Sequence, residues 1–309
     1  MNALTVVPNT ALSVVIVSWN CRSHLEDCLT ALAGLPAEVI VIDNHSMDGT
    51  PAMLRERFPA VRLIEMERNM GFAAAANRGI QSARPGHIWL LNPDVVAEPA
   101  AARTLLKCLD LYPRAGAVGP RLLRPDGSTD PRSARRYPTL WSEWAEKLGL
   151  RALAERLTRL PLDWQETSSV PLISGAGMLL HRSALEEVGL FDESFFLYAE
   201  DMDLCRRLQS AGWQVVYCGA AQIIHYGGAS SSRAPAKAGI QAILSMARYL
   251  DKHHGRSTGA IYRVSMFVLS LGKWVLFSLL SIIAPAGKMR DKRNLHRRLM
   301  AALWRGDTR

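Results

Sequence analysis

Through the first third of this chain, short apolar runs alternate with stretches whose apolar positions recur every three or four residues. SVVIVS (13–18), EVIVID (38–43), VRLIEM (61–66) and HIWLL (87–91) have the length and β-branched content of buried strands. Between them, Leu25, Leu29 and Leu32 mark one face of a helix predicted to begin at Ser23, with Glu26 three residues on completing a capping box. Asp48-Gly49-Thr50-Pro51 opens a second helix with Leu54 and Phe58 turned inward, and Gly71 to Ala83 forms a third. Strand and helix in alternation predict an α/β fold with a largely parallel sheet covered on both faces.

The pattern then loosens. An arginine-rich loop, residues 124–138, leads into a helical stretch carrying Trp141, Trp144, Leu148, Leu153 and Leu157, which is expected to pack on the domain. GAGMLLHR (175–182) reads as a buried strand, and Ser183 to Gly189 as a short helix with a capping box through Glu186 and a glycine stop. An acidic helix follows, then QVVYC and QIIHY as the last two strands, and GGASSSRAPAKAG as a polar connector into C-terminal helices. The expected division is one α/β domain over residues 1–235, with halves at about 12–120 and 121–235, and a helical region over 236–309.

Composition narrows the classes. With 309 residues, 49% hydrophobic and 21% charged, the chain can bury a large core and is not disordered. Its five cysteines are an odd number without a C-x-x-C pair, so neither a zinc knuckle nor a disulfide framework is indicated, and a reducing compartment fits. MNALTVVPNT lacks the basic and apolar regions of a cleaved secretory signal. The formal charge is +9, but residues 288–309 hold eight Lys/Arg against two Asp, which leaves +3 for the remainder and argues against nucleic acid as a partner. That basic tail follows residues 264–286, apolar apart from serines and Lys273. Twenty-three residues suffice to cross a bilayer of about 30 Å. A mid-segment lysine and basic flanks on both sides favour an in-plane or re-entrant helix on an anionic membrane surface instead, with the catalytic part on the cytoplasmic face.

Candidate chemistry gathers at strand ends. Functional residues of an open α/β sheet lie at the carboxyl ends of its strands. Trp19 and Asn20, Asp43 and Asn44, Asn69, and Asn92 with Asp94 all occupy such positions. Each alone is an ordinary turn former; four ends together indicate a shared site. Glu200, Asp201 and Asp203 stand at a predicted helix start, where a carboxylate acts either as a base or as a cap. With His225 after the last strand, these residues suggest a metal-assisted transfer site. A nicotinamide oxidoreductase is a weak rival, because SWNCRS lacks the glycines needed for close approach to a pyrophosphate.

VVIVSWN, VIVIDNHSMDGT, RNMGFAAAANRGI, LLNPDV, GAGMLLHR and FLYAEDMDLCRRL occur in the order found in family 2 glycosyltransferases, and the chain resembles their rhamnosyltransferase-like branch over about residues 12–230. The resemblance implies a GT-A fold, Rossmann-like in its nucleotide half, with C-terminal membrane-associated helices. It places the nucleobase near Trp19 and Asn20 with Asp43 accepting a base hydrogen bond, and puts Asn69, Gly71, Asn77 and Asn92 along the donor. Asn92-Pro93-Asp94 stands where many relatives have Asp-x-Asp, so Asp94, with His225, is the expected ligand of Mn2+ or Mg2+. Asp201 is the expected base; Gly175 and Glu200 border the acceptor or the transferred sugar, and Asp203 is read as a cap. The implied reaction is an inverting, metal-dependent transfer from a nucleotide-sugar donor to a polyprenyl-diphosphate-linked glycan. The basic run of Arg132, Arg135 and Arg136 is a candidate to meet its phosphates, against the commoner meaning of such a run as a solvated face. Rhamnose from dTDP-rhamnose is the expected sugar, with UDP-galactofuranose or a UDP- or GDP-hexose as alternative donors and a non-catalytic membrane scaffold as the alternative of another class.

Overall fold

The computed structural model describes residues 12–229, 231–283 and 287–305. The N-terminal stretch expected to carry no signal, residues 284–286 of the apolar segment, Ser230 of the connector and tail residues 306–309 lie outside the described residues. Two compact units emerge, one of residues 12–193 with Glu200–Arg233, the other of Ser194–Ala199 with residues 234 onward. The division expected after residue 235 falls after Arg233, and the segment just before Glu200 groups with the helical unit.

The larger unit begins β1 (Leu12–Ser18), α1 (Arg22–Ala31), β2 (Glu38–Asp43), α2 (Thr50–Arg57), β3 (Arg62–Glu65), α3 (Phe72–Ser82) and β4 (His87–Leu91). Next come β5 (Val95–Val96), α4 (Pro99–Leu111), β6 (Ala115–Leu123), β7 (Ala134–Arg135), α5 (Leu140–Lys147), α6 (Arg151–Thr158) and β8 (Thr167–Ser169). It closes with β9 (Leu172–Ile173), β10 (Gly177–Leu180), α7 (Arg182–Val188), α8 (Glu200–Ser210) and β11 (Gln214–His225). Among the described residues the main sheet has nine strands, in the order β3-β2-β1-β4-β10-β6-β11-β5 with β8 beside β11.

The first four strands are parallel, as expected, but β10 enters antiparallel between β4 and β6, so the sheet is mixed. QVVYC and QIIHY, expected as two strands, form one twelve-residue strand through His225, with an irregularity between Cys218 and Gln222. Val14, Ile16, Val41, Trp89 and Leu91 share a core with Leu25 and Leu29 of α1 and Leu105 of α4. On the other face α3 lies close: a Cβ on Gly79 would come within 2.4 Å of Val15 Cγ1. Ala73, Ala75 and Ala76 of the same helix are buried as well.

Two expected capping boxes do not form. Helix α1 starts at Arg22, one residue early, so Ser23 is already inside it and no side chain caps the helix from Cys21. Glu26 pairs with Arg57 instead, while Asp48 Oδ2 accepts the Arg22 amide at 2.9 Å. Helix α7 likewise starts at Arg182, again without a side-chain cap, and ends as expected at Gly189, whose φ of 82° suits glycine.

In the smaller unit, α9 (Pro235–His254), α10 (Arg256–Ile283) and α11 (Gly287–Arg305) follow one another. Residues Arg256–Ser281 are long and apolar enough to cross a membrane by length and composition. Ring contacts of Phe267 with Trp304 and of Phe277 with His296 show that α11 runs antiparallel along α10.

Candidate active site

The carboxyl ends of β1, β2 and β3 are tied to one another by their own polar side chains. Asn44 donates its amide to Asn69 Oδ1 (3.1 Å) and the Gly71 carbonyl (3.0 Å), and accepts the Met70 amide at 2.9 Å. Asn69 Oδ1 also accepts the Gly71 N–H at 3.0 Å, and Gly71 has a φ of 86° that favours glycine. Asn20, at a φ of 50°, receives the Met47 N–H on its Oδ1 (2.7 Å) and donates its own N–H to Ser46 Oγ (2.9 Å). Trp19, Asn20, Asp43, Asn69 and Gly71 are thus brought to one edge of the sheet. Asn44, grouped with the strand-end residues by its place directly after Asp43, is the one that organises this edge.

Asp43 is buried, with Oδ2 held by the Ser46 amide at 2.9 Å and Oδ1 lacking a partner. Burial pushes its carboxyl above the usual range, more than the Ser46 bond lowers it. An unsatisfied buried acceptor costs about 1–3 kcal/mol, which a ligand N–H would relieve. Asn77 departs from the rest. Its amide donates to the Phe191 carbonyl (2.8 Å) and Glu193 Oε1 (3.0 Å), and its oxygen accepts the Phe191 N–H (3.0 Å), so it secures the 191–193 segment from within.

A second cluster forms beyond β4. Antiparallel pairing of β5 with β11 sets His225 opposite Val95, the residue after Asp94. His225 Nε2 stands 3.4 Å from Asp94 Oδ1, while Asp94 Oδ2 accepts the Ala229 amide at 3.1 Å. Burial alone would raise the Asp94 carboxyl, but His225 and the Ala229 amide outweigh it and the group is lowered. Neither ring nitrogen of His225 has a hydrogen-bond partner, although both are buried. Among the described residues no three His, Cys, Asp or Glu side chains gather into a metal cluster. One carboxylate and one imidazole do fit a divalent ion that takes its remaining ligands from a diphosphate and water. At the rim, His24 and Tyr226 meet edge to face at 5.9 Å, a pairing with no local sequence signal.

Residues 174–176 bridge this cluster to α8. The Ala176 carbonyl accepts the Asn92 amide at 2.9 Å, and the Gly175 N–H donates to Asp201 Oδ2 at 3.2 Å. A Cβ on Gly175 would lie 3.3 Å from Asp201 Cβ, so the glycine keeps this approach open. Glu200, beside Asp201, is buried, and one of its oxygens has no partner. Burial, reinforced by the Asp201 charge, pushes its carboxyl up to about 8. Tyr198 and Ala199 immediately before it both have positive φ, 69° and 67°, a strained conformation for residues bearing a Cβ. Asp203 is fully buried and pairs with Arg207 at 2.8 Å, and Arg207 also donates to the Val188 and Leu190 carbonyls, fixing α8 to the loop before it. In the loop before β7, Arg132 forms a forked pair with Asp130, and the Ser174 N–H donates to the Ser133 carbonyl at 3.4 Å.

A family model described as glycosyltransferase like family 2 matches residues 8–241. An N-acetylglucosaminyl-diphospho-decaprenol L-rhamnosyltransferase of Mycobacterium tuberculosis is 36% identical over 251 residues, covering 73% of this chain and 79% of that protein. Among solved structures, a mannosyltransferase from Pyrobaculum calidifontis in complex with GDP-Man and Mn2+ aligns over 96% of this chain and 86% of its own, with a TM-score of 0.55 at 16% identity. GalNAc-T7 with UDP, GalNAc and Mn2+ aligns over 69% of this chain and 43% of its own, with a TM-score of 0.53 at 16% identity. These two likenesses establish the GT-A fold.

Proposed function

The chain belongs to the family 2 glycosyltransferases, in the rhamnosyltransferase-like branch, and from that premise we propose that it transfers rhamnose from dTDP-rhamnose to a hydroxyl of a polyprenyl-diphosphate-linked glycan, with inversion. The observation that carries the reading is the bridge at 174–176, which joins a carboxylate–imidazole pair suited to a nucleoside diphosphate to a carboxylate suited to an acceptor hydroxyl. The rhamnosyltransferase relative, named for a diphospho-decaprenol substrate, supports the sugar and the lipid carrier.

In this reading Asp43 Oδ1 accepts the base N–H that satisfies it, with Trp19 and Asn20 beside the base. Asp94 and His225 would hold Mn2+ or Mg2+, which would supply positive charge against the departing diphosphate. Asp201 takes the proton of the acceptor hydroxyl as that oxygen attacks the anomeric carbon opposite the diphosphate, and a single displacement inverts the centre. The Gly175 amide orients Asp201 for this. Glu200, protonated at neutral pH by its raised pKa, donates a hydrogen bond to a sugar hydroxyl. The exposed arginines of the 132–136 loop meet the acceptor phosphates.

A lipid-linked acceptor gives the C-terminal helices a purpose. If α10 crossed the bilayer, the antiparallel contact would draw Lys292, Arg293, Arg297 and Arg298 of α11 along it into hydrocarbon, at roughly 2.5–3.5 kcal/mol per charge on insertion scales. We therefore place α10 and α11 in the plane of the cytoplasmic membrane surface, held by their apolar faces and by anionic lipids.

Thermal stabilisation by dTDP, UDP and GDP, each with Mn2+, Mg2+ or chelator, tests the proposal. One nucleotide should raise the melting midpoint only with metal, and Asp94→Ala should abolish the gain. No shift with any nucleotide would return the chain to a scaffold role.

A further inference from the structure

Helices α5 and α6 form a hairpin whose apolar residues face water, although their pattern predicts packing. Trp141 and Leu148, seven residues apart and so on one face of their segment, are 71% and 62% exposed. Leu150, Leu153 and Leu157 continue the stripe into α6, all of them exposed, and of that helix only Ala154 is buried. An amphipathic helix of a globular domain normally turns such a stripe to the core. Around this one the exposed charge is mainly basic, with Arg136, Arg151, Arg156 and Arg159 against Glu146 and Glu155.

The hairpin is rooted beside the site. The Arg136 amide donates to the Thr158 carbonyl at 2.8 Å, closing its base. Just before that, β7 pairs with β9, whose chain runs on into Gly175 and its bond to Asp201. A leucine stripe ended by a tryptophan and flanked by arginines has the chemistry of a helix lying at a lipid headgroup boundary.

We infer that the α5–α6 hairpin is a membrane-docking element of the catalytic unit itself, seating Trp141, Leu148 and Leu150 in a bilayer surface that carries anionic lipid. It is separate in sequence from α10 and α11. Its use, bringing a bilayer-borne acceptor toward Asp201, rests on the function proposed above.

All five native cysteines are buried, so Leu150→Cys in the full chain can carry an environment-sensitive dye selectively, with exposed Leu111→Cys at the end of α4 as control. Vesicles of phosphatidylglycerol and phosphatidylethanolamine should blue-shift the dye at position 150 and leave position 111 unchanged. Adding Arg151→Glu and Arg156→Glu should raise the lipid needed for half the shift at least tenfold, since each basic residue near such a surface contributes about 1 kcal/mol. An unshifted dye at 150 on vesicles that sediment the protein overturns the inference. So does a shift without vesicles that grows with protein concentration, which would mean a second copy covers the stripe. Transfer to a short-chain, water-soluble acceptor is scored on the same labelled protein: transfer with no shift removes the docking element and keeps the enzyme, and a shift with no transfer does the reverse.

Discussion

Replacing Glu200 by Gln should stabilise the protein, by an amount that grows with pH. Glu200 sits in the first turn of α8, cut off from water and next to the Asp201 charge, and its pKa rises from 4.5 to about 8. The folded state therefore holds a proton that the unfolded chain releases above 4.5, and stability falls as pH rises from there to about 8. Each unit of that window is worth about 1.4 kcal/mol, so the penalty at pH 7 is about 3 kcal/mol. Glutamine keeps the shape and cannot ionise. Urea unfolding followed by tryptophan fluorescence should give nearly equal stabilities for the two proteins near the low end of the window. The variant should gain about 1.4 kcal/mol per unit toward the high end. In an Asp201→Asn background the window should close at a lower pH, because one of the two causes of the raised pKa is gone. Parallel curves for wild type and Glu200→Gln across the window would refute the assignment of a buried, neutral carboxyl.

Three further outcomes follow from the geometry. Asp201→Asn should lower turnover by roughly 10^2- to 10^4-fold while calorimetry shows nucleotide binding unchanged, and near-normal turnover would move the base elsewhere. Gly175→Ala inserts a methyl 3.3 Å from Asp201 Cβ, so kcat should fall about tenfold with donor KM and melting midpoint held. Gly79→Ala drives a methyl to 2.4 Å of Val15 Cγ1 and should cost about 1–3 kcal/mol of stability in urea unfolding without a specific loss of nucleotide affinity.

Much of the first half of the sheet was legible because its rules are local. Buried β-branched runs give strands, and polar residues just past them fall at the sheet edge where helices begin, which is how Asn20, Asp43, Asn69 and Asp94 could be grouped. What escaped depended on partners distant in sequence. The resemblance puts Asn77 along the donor, and nothing local signals that its amide also holds Phe191 and Glu193, more than a hundred positions away. Ser23 and Ser183 each precede a glutamate by three, but both helices start one residue early, and a serine inside the first turn cannot be the cap. The leucines of α6 have core periodicity, and periodicity cannot tell protein from lipid as the apolar partner.

Strand direction was the largest hidden variable, and the site depends on it. Gly177, the first residue of β10, pairs with Leu91, the last of β4, because the two strands run in opposite senses. The residues that precede β10, Gly175 and Ala176, therefore lie at the carboxyl edge, against Asn92 and Asp201. Had β10 run parallel to β4, a four-residue strand at about 3.3 Å per residue would have put them roughly 13 Å away at the opposite edge. A strand buried on both faces reads alike in either direction, so MLL carries no mark of this. The antiparallel insertion makes the sheet edge two-sided, because the connection entering β10 meets both Asn92, two residues before Asp94, and Asp201.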